Sequence, residues 1–124
     1  MTANIKYMKI LHIAECAGGV DRYLEMLLPR LADQYEQIFI CSQNFDIAKY
    51  KYVVDDVVQI DMQQTFSPVK IFKMVKTIRK IIKMHIPDIV YCHSSFAGGL
   101  GRLACIGLNC KVVYNPHGWA FNIK

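Results

Sequence analysis

Residues 9–31 read KILHIAECAGGVDRYLEMLLPRL, a segment in which two adjacent glycines join an apolar run to an amphipathic one. The apolar run, residues 7–14, is short and leads into a turn-prone sequence, as a buried strand does when it ends in a loop. From Val20 the apolar residues recur with helical spacing along one stripe, and Pro29 lies opposite that stripe, where a proline disturbs packing least. The segment therefore predicts a strand, a glycine turn and a bent helix.

Strand and helix signals continue to alternate along the rest of the chain. Further strands are predicted at residues 37–42, 57–62, 88–93 and 110–115. Helices are predicted from the cap pair Ser67–Pro68 to Pro87, and over residues 97–108. Apolar strands joined by helical crossovers indicate a parallel sheet covered on both faces, and right-handed crossovers favour the order 3-2-1-4-5. The predicted fold class is α/β, a Rossmann-like doubly wound sheet of about five strands.

Composition excludes several classes of protein. The 124 residues correspond to about one domain, and 53% hydrophobic with 20% charged residues is a globular composition. No uncharged apolar run approaches the about 18 residues of a membrane span, and no secretory signal is recognisable, so a cytoplasmic protein is expected. Five cysteines without a C-x-x-C pair are expected to be buried thiols rather than disulfides or zinc ligands.

Positive charge is concentrated in the second half of the chain, where an anionic partner is expected to bind. Residues 1–62 carry a net charge of −3, and residues 63–124 carry +8. The predicted helix over residues 67–85 has one basic face, which is ordinarily a solvated surface. Because Phe72 lies among its lysines, peripheral contact with a membrane surface is an open alternative. Nucleic acid is not expected, since aromatic residues do not interleave with the basic ones.

Three of the five predicted strand ends are unusual, and ligands of open parallel sheets bind beyond these carboxyl ends. Gly18 and Gly19 follow the first strand, where backbone amides at a helix N-terminus can approach a phosphate. The alternative is a turn that simply needs positive φ. Neither G-x-G-x-x-G nor G-K-[ST] occurs in the sequence, which excludes the dinucleotide fingerprint and the P-loop.

Two histidines end neighbouring predicted strands and are expected near one cleft. His93, with Ser94 beside it, follows the fourth strand, and His117 with Gly118 follows the fifth. Imidazoles next to a glycine turn suit recognition of sugar hydroxyls or phosphate oxygens, although a lone histidine at a strand end is more often a hydrogen-bonded structural group. Arg102 can reach a phosphate or form an ion pair between helices. No third ligand is evident for a metal, so no metal site is predicted.

Three segments taken together resemble the N-terminal domain of GT-B glycosyltransferases of family 4, especially bacterial enzymes of capsule, exopolysaccharide and O-antigen assembly. They are residues 9–31, PDIVYCHSSFAGGLGRLA at 87–104 and KVVYNPHGWAF at 111–121. The resemblance implies a retaining transferase that moves a sugar from a nucleotide-sugar donor to a polysaccharide or lipid-linked acceptor. It implies no cofactor other than the donor, and no divalent metal.

The resemblance also implies roles for the residues at the strand ends. Gly18 and Gly19 would face the donor diphosphate, and His117 would lie near the transferred sugar as the catalytic residue. The expected substrate-binding residues on the cleft side are His93, Ser94, Arg102 and Gly118. The basic helix at 67–85 would dock on the inner face of an anionic membrane, where lipid-linked acceptors reside.

Residues 1–124 are expected to form a single, truncated acceptor-side domain, inactive alone because the donor-binding C-terminal domain is absent. The missing half of the site would come from a longer polypeptide or from a separate donor-binding chain. One alternative is a non-catalytic module that binds a glycan, an acceptor or a partner through the same strand ends. Another is a small nucleotide-binding or flavodoxin-like regulator.

Overall fold

A computed structural model describes residues 8–15 and 19–114 of the chain. Strands and helices alternate along these residues. They are β1 Met8–Ala14, α1 Gly19–Leu31, β2 Tyr35–Cys41, a short 3-10 helix Ile47–Lys49, β3 Asp56–Gln59, α2 Pro68–His85, β4 Ile89–Cys92, α3 Ser95–Ala104 and β5 Lys111–Tyr114. None of the helices in this part of the chain combines the length and hydrophobicity that a bilayer crossing needs.

The five strands form one parallel sheet in the order β3-β2-β1-β4-β5, which confirms the predicted order. In the register, Ile13 of β1 lies opposite Ile40 of β2 and Cys92 of β4. The chain moves outward from β1 in both directions, so β1 and β4 flank the point where the strand order reverses. Parallel sheets bind ligands in the crevice beyond the carboxyl ends of such strands.

Helices cover both faces of the sheet, as the apolar strands predicted. On one face, α2 and α3 close an aliphatic core around Leu11 and Ile38. On the other face, α1 buries Val20, Leu24 and Leu28 against a cluster that also contains aromatic rings. The apolar stripe of α1 therefore points inward as predicted, and Pro29 is exposed within an unbroken helix.

The ends of α3 differ from the prediction, which placed this helix at residues 97–108. The helix begins at Ser95 because the Ser94 hydroxyl accepts a hydrogen bond from the backbone N–H of Ala97 at 3.1 Å and caps the first turn. It ends at Ala104, and Gly107 in the turn beyond has φ of +76°, a conformation that favours glycine. The local capping residue, rather than the apolar pattern, sets the start.

Two glycines of α3 allow the helix to lie directly against the sheet. A Cβ atom at Gly98 would lie 2.8 Å from Cδ1 of Tyr114, and one at Gly101 would overlap the sulfur of Cys92. Nothing lies within 4 Å of the corresponding position at Gly99. Close packing on β4 and β5 therefore explains two of the glycines without a ligand.

The basic face of α2 is mostly solvated, but one of its cations has a structural partner. The guanidinium of Arg79 donates hydrogen bonds to the backbone carbonyls of Ala104 and Ile106, just where α3 ends. Cations near a helix C-terminus satisfy its unpaired carbonyls and its dipole. Arg79 therefore fastens α2 to α3. The apolar face of α2 is buried as predicted, at Met74, Ile78, Ile81 and Ile82.

The described cysteines are free thiols. Cys41, Cys92 and Cys105 are buried, and Cys110 is half-buried. Burial raises the pKa of each of the three buried thiols to about 12, so they remain protonated near neutral pH. They act as small apolar groups in the core.

Candidate functional site

A buried carboxylate joins three loops at the carboxyl edge of the sheet. Glu15 follows β1 and is only 2% exposed. Its carboxylate accepts hydrogen bonds from the Ser94 hydroxyl and, at 3.4 Å, from the Gln64 amide. Its backbone carbonyl accepts one from the Ser42 hydroxyl at 2.6 Å. The loops after β2, β3 and β4 are thus held together through the residue that follows β1.

Glu15 was not among the candidates that the sequence suggested. The available signal was a carboxylate directly after the first strand and three residues before Gly18. Its partners lie 27 to 79 residues away along the chain, so the pattern around it gives no sign of them.

Ser94 has its hydroxyl group in a fixed orientation. The hydroxyl proton is donated to Glu15, while the oxygen accepts the N–H of Ala97. Ser94 is half-buried at the edge, next to the N-terminus of α3. This places it at the edge where the sequence predicted a substrate contact; contact with substrate stays a prediction.

A row of buried polar side chains lies beneath this edge, on the α1 face. Gln37, His12 and His93 are all almost completely buried. The Gln37 amide donates to the carbonyl of Leu28 at 3.0 Å, and its oxygen lies 2.9 Å from His12 Nε2. His12 Nδ1 in turn lies 2.9 Å from His93 Nε2. We call Gln37, His12 and His93 the buried relay.

The relay determines where the proton of the neutral His12 imidazole lies. Because the Gln37 oxygen can only accept, His12 must carry its proton on Nε2, which leaves Nδ1 as an acceptor. His93 must then carry a proton on Nε2 to donate to His12. Burial lowers the pKa of His12 to about 4, against the opposing effect of its hydrogen bond to Gln37. His12 is therefore neutral at physiological pH.

The ring of His93 is held by stacking as well as by the relay. It lies 4.3 Å from the ring of Tyr91, with 8° between the two planes. Tyr23 of α1 approaches it from the helix side, at 6.2 Å between ring centroids. The side chain of His93 is thus fully buried. Its assignment as a substrate-binding residue stays a prediction.

The remaining predicted site residues have different surroundings. The guanidinium of Arg102 lies over the ring of Tyr114, 5.7 Å from its centroid, in a cation–π contact. Gly19 is the exposed first residue of α1. Gly18, His117 and Gly118 lie outside the described residues. Their predicted roles, like that of Arg102, stay predictions.

Two clefts open on either side of the loop that follows β3. The inner cleft has a volume of about 500 Å³ and is lined by Gln64, Thr65, Phe66, Ser95 and Phe96. The outer cleft, about 350 Å³, lies against α2 and is lined by Ile60, Asp61, Gln63, Thr65, Lys70, Lys73, Met74 and Thr77. Thr65 belongs to both.

Within residues 8–15 and 19–114, no three His, Cys, Asp or Glu side chains are grouped as a metal site would require.

Comparison with known sequences gives a consistent result. The sequence profile of Glycosyltransferase Family 4 matches residues 17–123. In Escherichia coli, the UDP-Gal:alpha-D-GlcNAc-diphosphoundecaprenol alpha-1,3-galactosyltransferase is 35% identical to this chain over 101 residues. That match covers 77% of this chain and 24% of the E. coli enzyme, so the chain spans about a quarter of the length of that relative.

Comparison with solved structures shows the fold. The apo form of the lipopolysaccharide outer core galactosyltransferase WaaB is similar with a TM-score of 0.70 and 22% identity, over 89% of this chain and 33% of that one. UDP-GlcNAc 2-epimerase from Methanocaldococcus jannaschii gives 0.69 and 17%, over 86% and 31%. A transferase and an epimerase are about equally similar, so the fold alone does not select a reaction.

Proposed function

The chain belongs to glycosyltransferase family 4 and has the N-terminal half of a GT-B fold, and we propose that it is the acceptor-side domain of a retaining glycosyltransferase. The enzyme would transfer a sugar from a nucleotide-sugar donor to a lipid-linked or polysaccharide acceptor, as in capsule assembly. The observation that carries this proposal is the 35% identity to a galactosyltransferase over most of the chain. A donor-binding domain, in the same polypeptide or in a separate chain, would complete the site.

The carboxyl edge supports this assignment because it offers rigid, oriented polar groups. Glu15 and Ser94 are held by mutual hydrogen bonding, and the buried relay fixes the ring of His93 below them. Catalytic sites need such preorganisation, since a group that must reorient contributes less to transition-state binding. The proposed donor-side residues are Gly18 and Gly19 at the diphosphate, and His117 and Gly118 near the transferred sugar. His93, Ser94 and Arg102 are proposed as substrate-binding residues of the cleft.

The exposed face of α2 supports docking on the cytoplasmic face of a membrane. We call Lys70, Lys73, Lys76, Lys80 and Lys83 the lysine face. Phe66, just before the helix, is completely exposed, and Val69 and Phe72 are about two-thirds exposed. Lysines attract anionic lipid headgroups, while exposed aromatic and aliphatic side chains enter the interfacial region. Such docking would bring a lipid-linked acceptor to the carboxyl edge.

A transfer assay tests the proposal. The purified protein that contains this chain is incubated with a panel of nucleotide sugars and a short-chain prenyl-diphosphate-linked N-acetylglucosamine, and the product is analysed by mass spectrometry. We expect a product one hexose heavier with one of the donors. His117→Ala should lower transfer at least about a hundredfold, the usual scale for loss of one well-placed catalytic group, without weakening acceptor binding.

The matched control is His85→Ala. His85 is the last residue of α2, and its Nε2 lies 3.4 Å from an Asp56 carboxylate oxygen. This variant should transfer sugar like the parent protein. Acceptor binding with no transfer from any donor would favour the non-catalytic binding module instead. Equal losses in both variants would remove the assigned role of His117.

A further inference from the structure

The outer cleft, between the loop after β3 and α2, contains several hydrogen-bond donors. Lys70 and Lys73 lie one turn apart on α2 and both line the cleft. Within the described residues neither ammonium group forms a salt bridge, so both charges remain available to a ligand. Asp61 lies in the same lining and offsets one of the two charges. The lining therefore keeps a net positive charge and is suited to an anion.

The hydroxyl groups of the cleft have different hydrogen-bonding capacities. The oxygen of Thr65 accepts the backbone N–H of Ser67 at 3.1 Å, so its proton is still available for donation. The hydroxyl of Thr77 already donates to the carbonyl of Lys73 at 3.0 Å. Thr65 is therefore the hydroxyl that can donate to an anionic oxygen, from the wall that the two clefts share.

The two clefts lie side by side between the carboxyl edge and the lysine face, and they share Thr65. The inner cleft begins at Ser95, the first residue of α3 and the neighbour of Ser94, and it is also lined by the exposed ring of Phe66. The outer cleft, on the other side of Thr65, is lined by the two lysines. Val69, next to Lys70 in the chain, is exposed to solvent. A ligand that reaches across Thr65 would meet Ser95 and Phe66 on one side and the two cations on the other.

These surroundings suit the sugar and the diphosphate of a lipid-linked acceptor. We propose that the outer cleft is the diphosphate-binding subsite for the lipid carrier of the acceptor, with Lys70, Lys73 and Thr65 as its donors. The acceptor sugar then lies in the inner cleft near Ser94 and Phe66, and the first isoprenoid units lie against Val69. The assignment rests on the proposed transferase function and adds where its acceptor binds.

A nucleotide-sugar donor also contains a diphosphate, so the same chemistry has two possible sources. The glycine turn proposed for the donor leads into α1, which covers the opposite face of the sheet from α2. The outer cleft is lined by Lys70, whose neighbour in the chain, Val69, has an exposed apolar side chain that a lipid can contact and a nucleoside would leave uncovered. These two features assign the outer cleft to the lipid-linked ligand.

A pair of substitutions and two acceptors test the subsite. Lys70→Gln with Lys73→Gln removes both cations and introduces residues with good helix propensity, so circular dichroism should be unchanged. We expect the KM for a short-chain prenyl-diphosphate-linked N-acetylglucosamine to rise about tenfold or more, since each charge-assisted hydrogen bond contributes strongly. The KM for octyl N-acetylglucosaminide, which has no diphosphate, should stay within about twofold by the same scale.

An equal change in KM for both acceptors would overturn the subsite. Absence of transfer to either acceptor by the parent protein would instead refute the proposed function. For that case a binding measurement keeps the subsite testable: geranyl diphosphate is titrated into labelled protein and followed by NMR. We expect perturbed amide signals in residues 61–77 and about tenfold weaker binding in the double variant.

A matched variant and a competing ligand distinguish the lipid-diphosphate subsite from a nucleotide site and from general surface charge. Lys76→Gln with Lys80→Gln removes the same charge from the lysine face outside the cleft. It should bind geranyl diphosphate like the parent, while both double variants lose affinity for vesicles containing phosphatidylglycerol. UDP should not displace geranyl diphosphate. Displacement by UDP would assign the cleft to the nucleotide, and equal weakening by both pairs would reduce it to general surface charge.

Discussion

The two faces of the sheet are equally closed to water but are held together by different chemistry. Beneath α2 and α3 the buried side chains are almost all aliphatic, and close packing of glycines against the sheet sets the spacing. Beneath α1 the buried relay replaces part of the apolar contact with hydrogen bonds. Buried polar networks depend on every partner being present, whereas an apolar core depends mainly on volume. We infer that the aliphatic face supplies stability and the polar face fixes the geometry of the edge.

The largest effect that separates the two faces is expected from pH. His12 is neutral when folded, with a pKa of about 4, and has the ordinary value of 6.5 when unfolded. Between these values the unfolded chain binds the extra proton, so stability is complete above pH 6.5 and falls as the pH approaches 4. The expected loss is about 3 kcal/mol in the free energy of unfolding.

Urea unfolding at pH 7, 5.5 and 4 measures this loss, and His12→Gln provides the matched variant. Gln can still hydrogen-bond to its neighbours but does not titrate, so its stability should fall less over the same interval by about 3 kcal/mol. Parallel stability curves for the two proteins would mean that the relay does not hold His12 in its neutral form.

A smaller effect is expected on the aliphatic face. There the change from Gly to Ala should lower the free energy of unfolding at Gly101 and raise it at Gly99. Gly101→Ala places a methyl group against the sulfur of Cys92 and should destabilise the protein by about 2 kcal/mol through overpacking. Thermal unfolding checks this value. The difference in stability between this variant and the parent protein should not depend on pH, because neither Ala nor Gly titrates.

Gly99→Ala is the control for the packing prediction and the smallest effect of the series. The space at Gly99 is open, and Ala favours a helix more than Gly, so this variant should be more stable by about 1 kcal/mol. Destabilisation by both substitutions to the same extent would show that close packing of α3 on the sheet is not what the glycines provide.

The sequence predicted the aliphatic face better than the polar one. The face of α2 and the strand order followed from residue periodicity and from crossover handedness, which act along the whole chain. His12 and Gln37 lie inside apolar strands, and their partners are 81 and 25 residues away, so no local pattern indicated them. Glu15 was missed for the same reason. Arg79 lies on the basic face of α2, which was expected to be solvated. Its carbonyl partners follow only from where α3 ends, which the sequence pattern did not give correctly.

The central claim is that the carboxyl edge of the sheet receives the acceptor, and hydrogen–deuterium exchange tests it most directly. The opposite edge also has a cleft, about 260 Å³ in volume and lined by Ile82, Lys83, Ile86, Pro87, Leu108, Asn109 and Cys110, which serves as an internal comparison. Exchange is measured on the protein with and without prenyl-diphosphate-linked N-acetylglucosamine. We predict slower exchange in residues 60–67 and 93–98 and no change in residues 105–111. Protection of residues 105–111 with none at residues 60–67 or 93–98 would contradict the account.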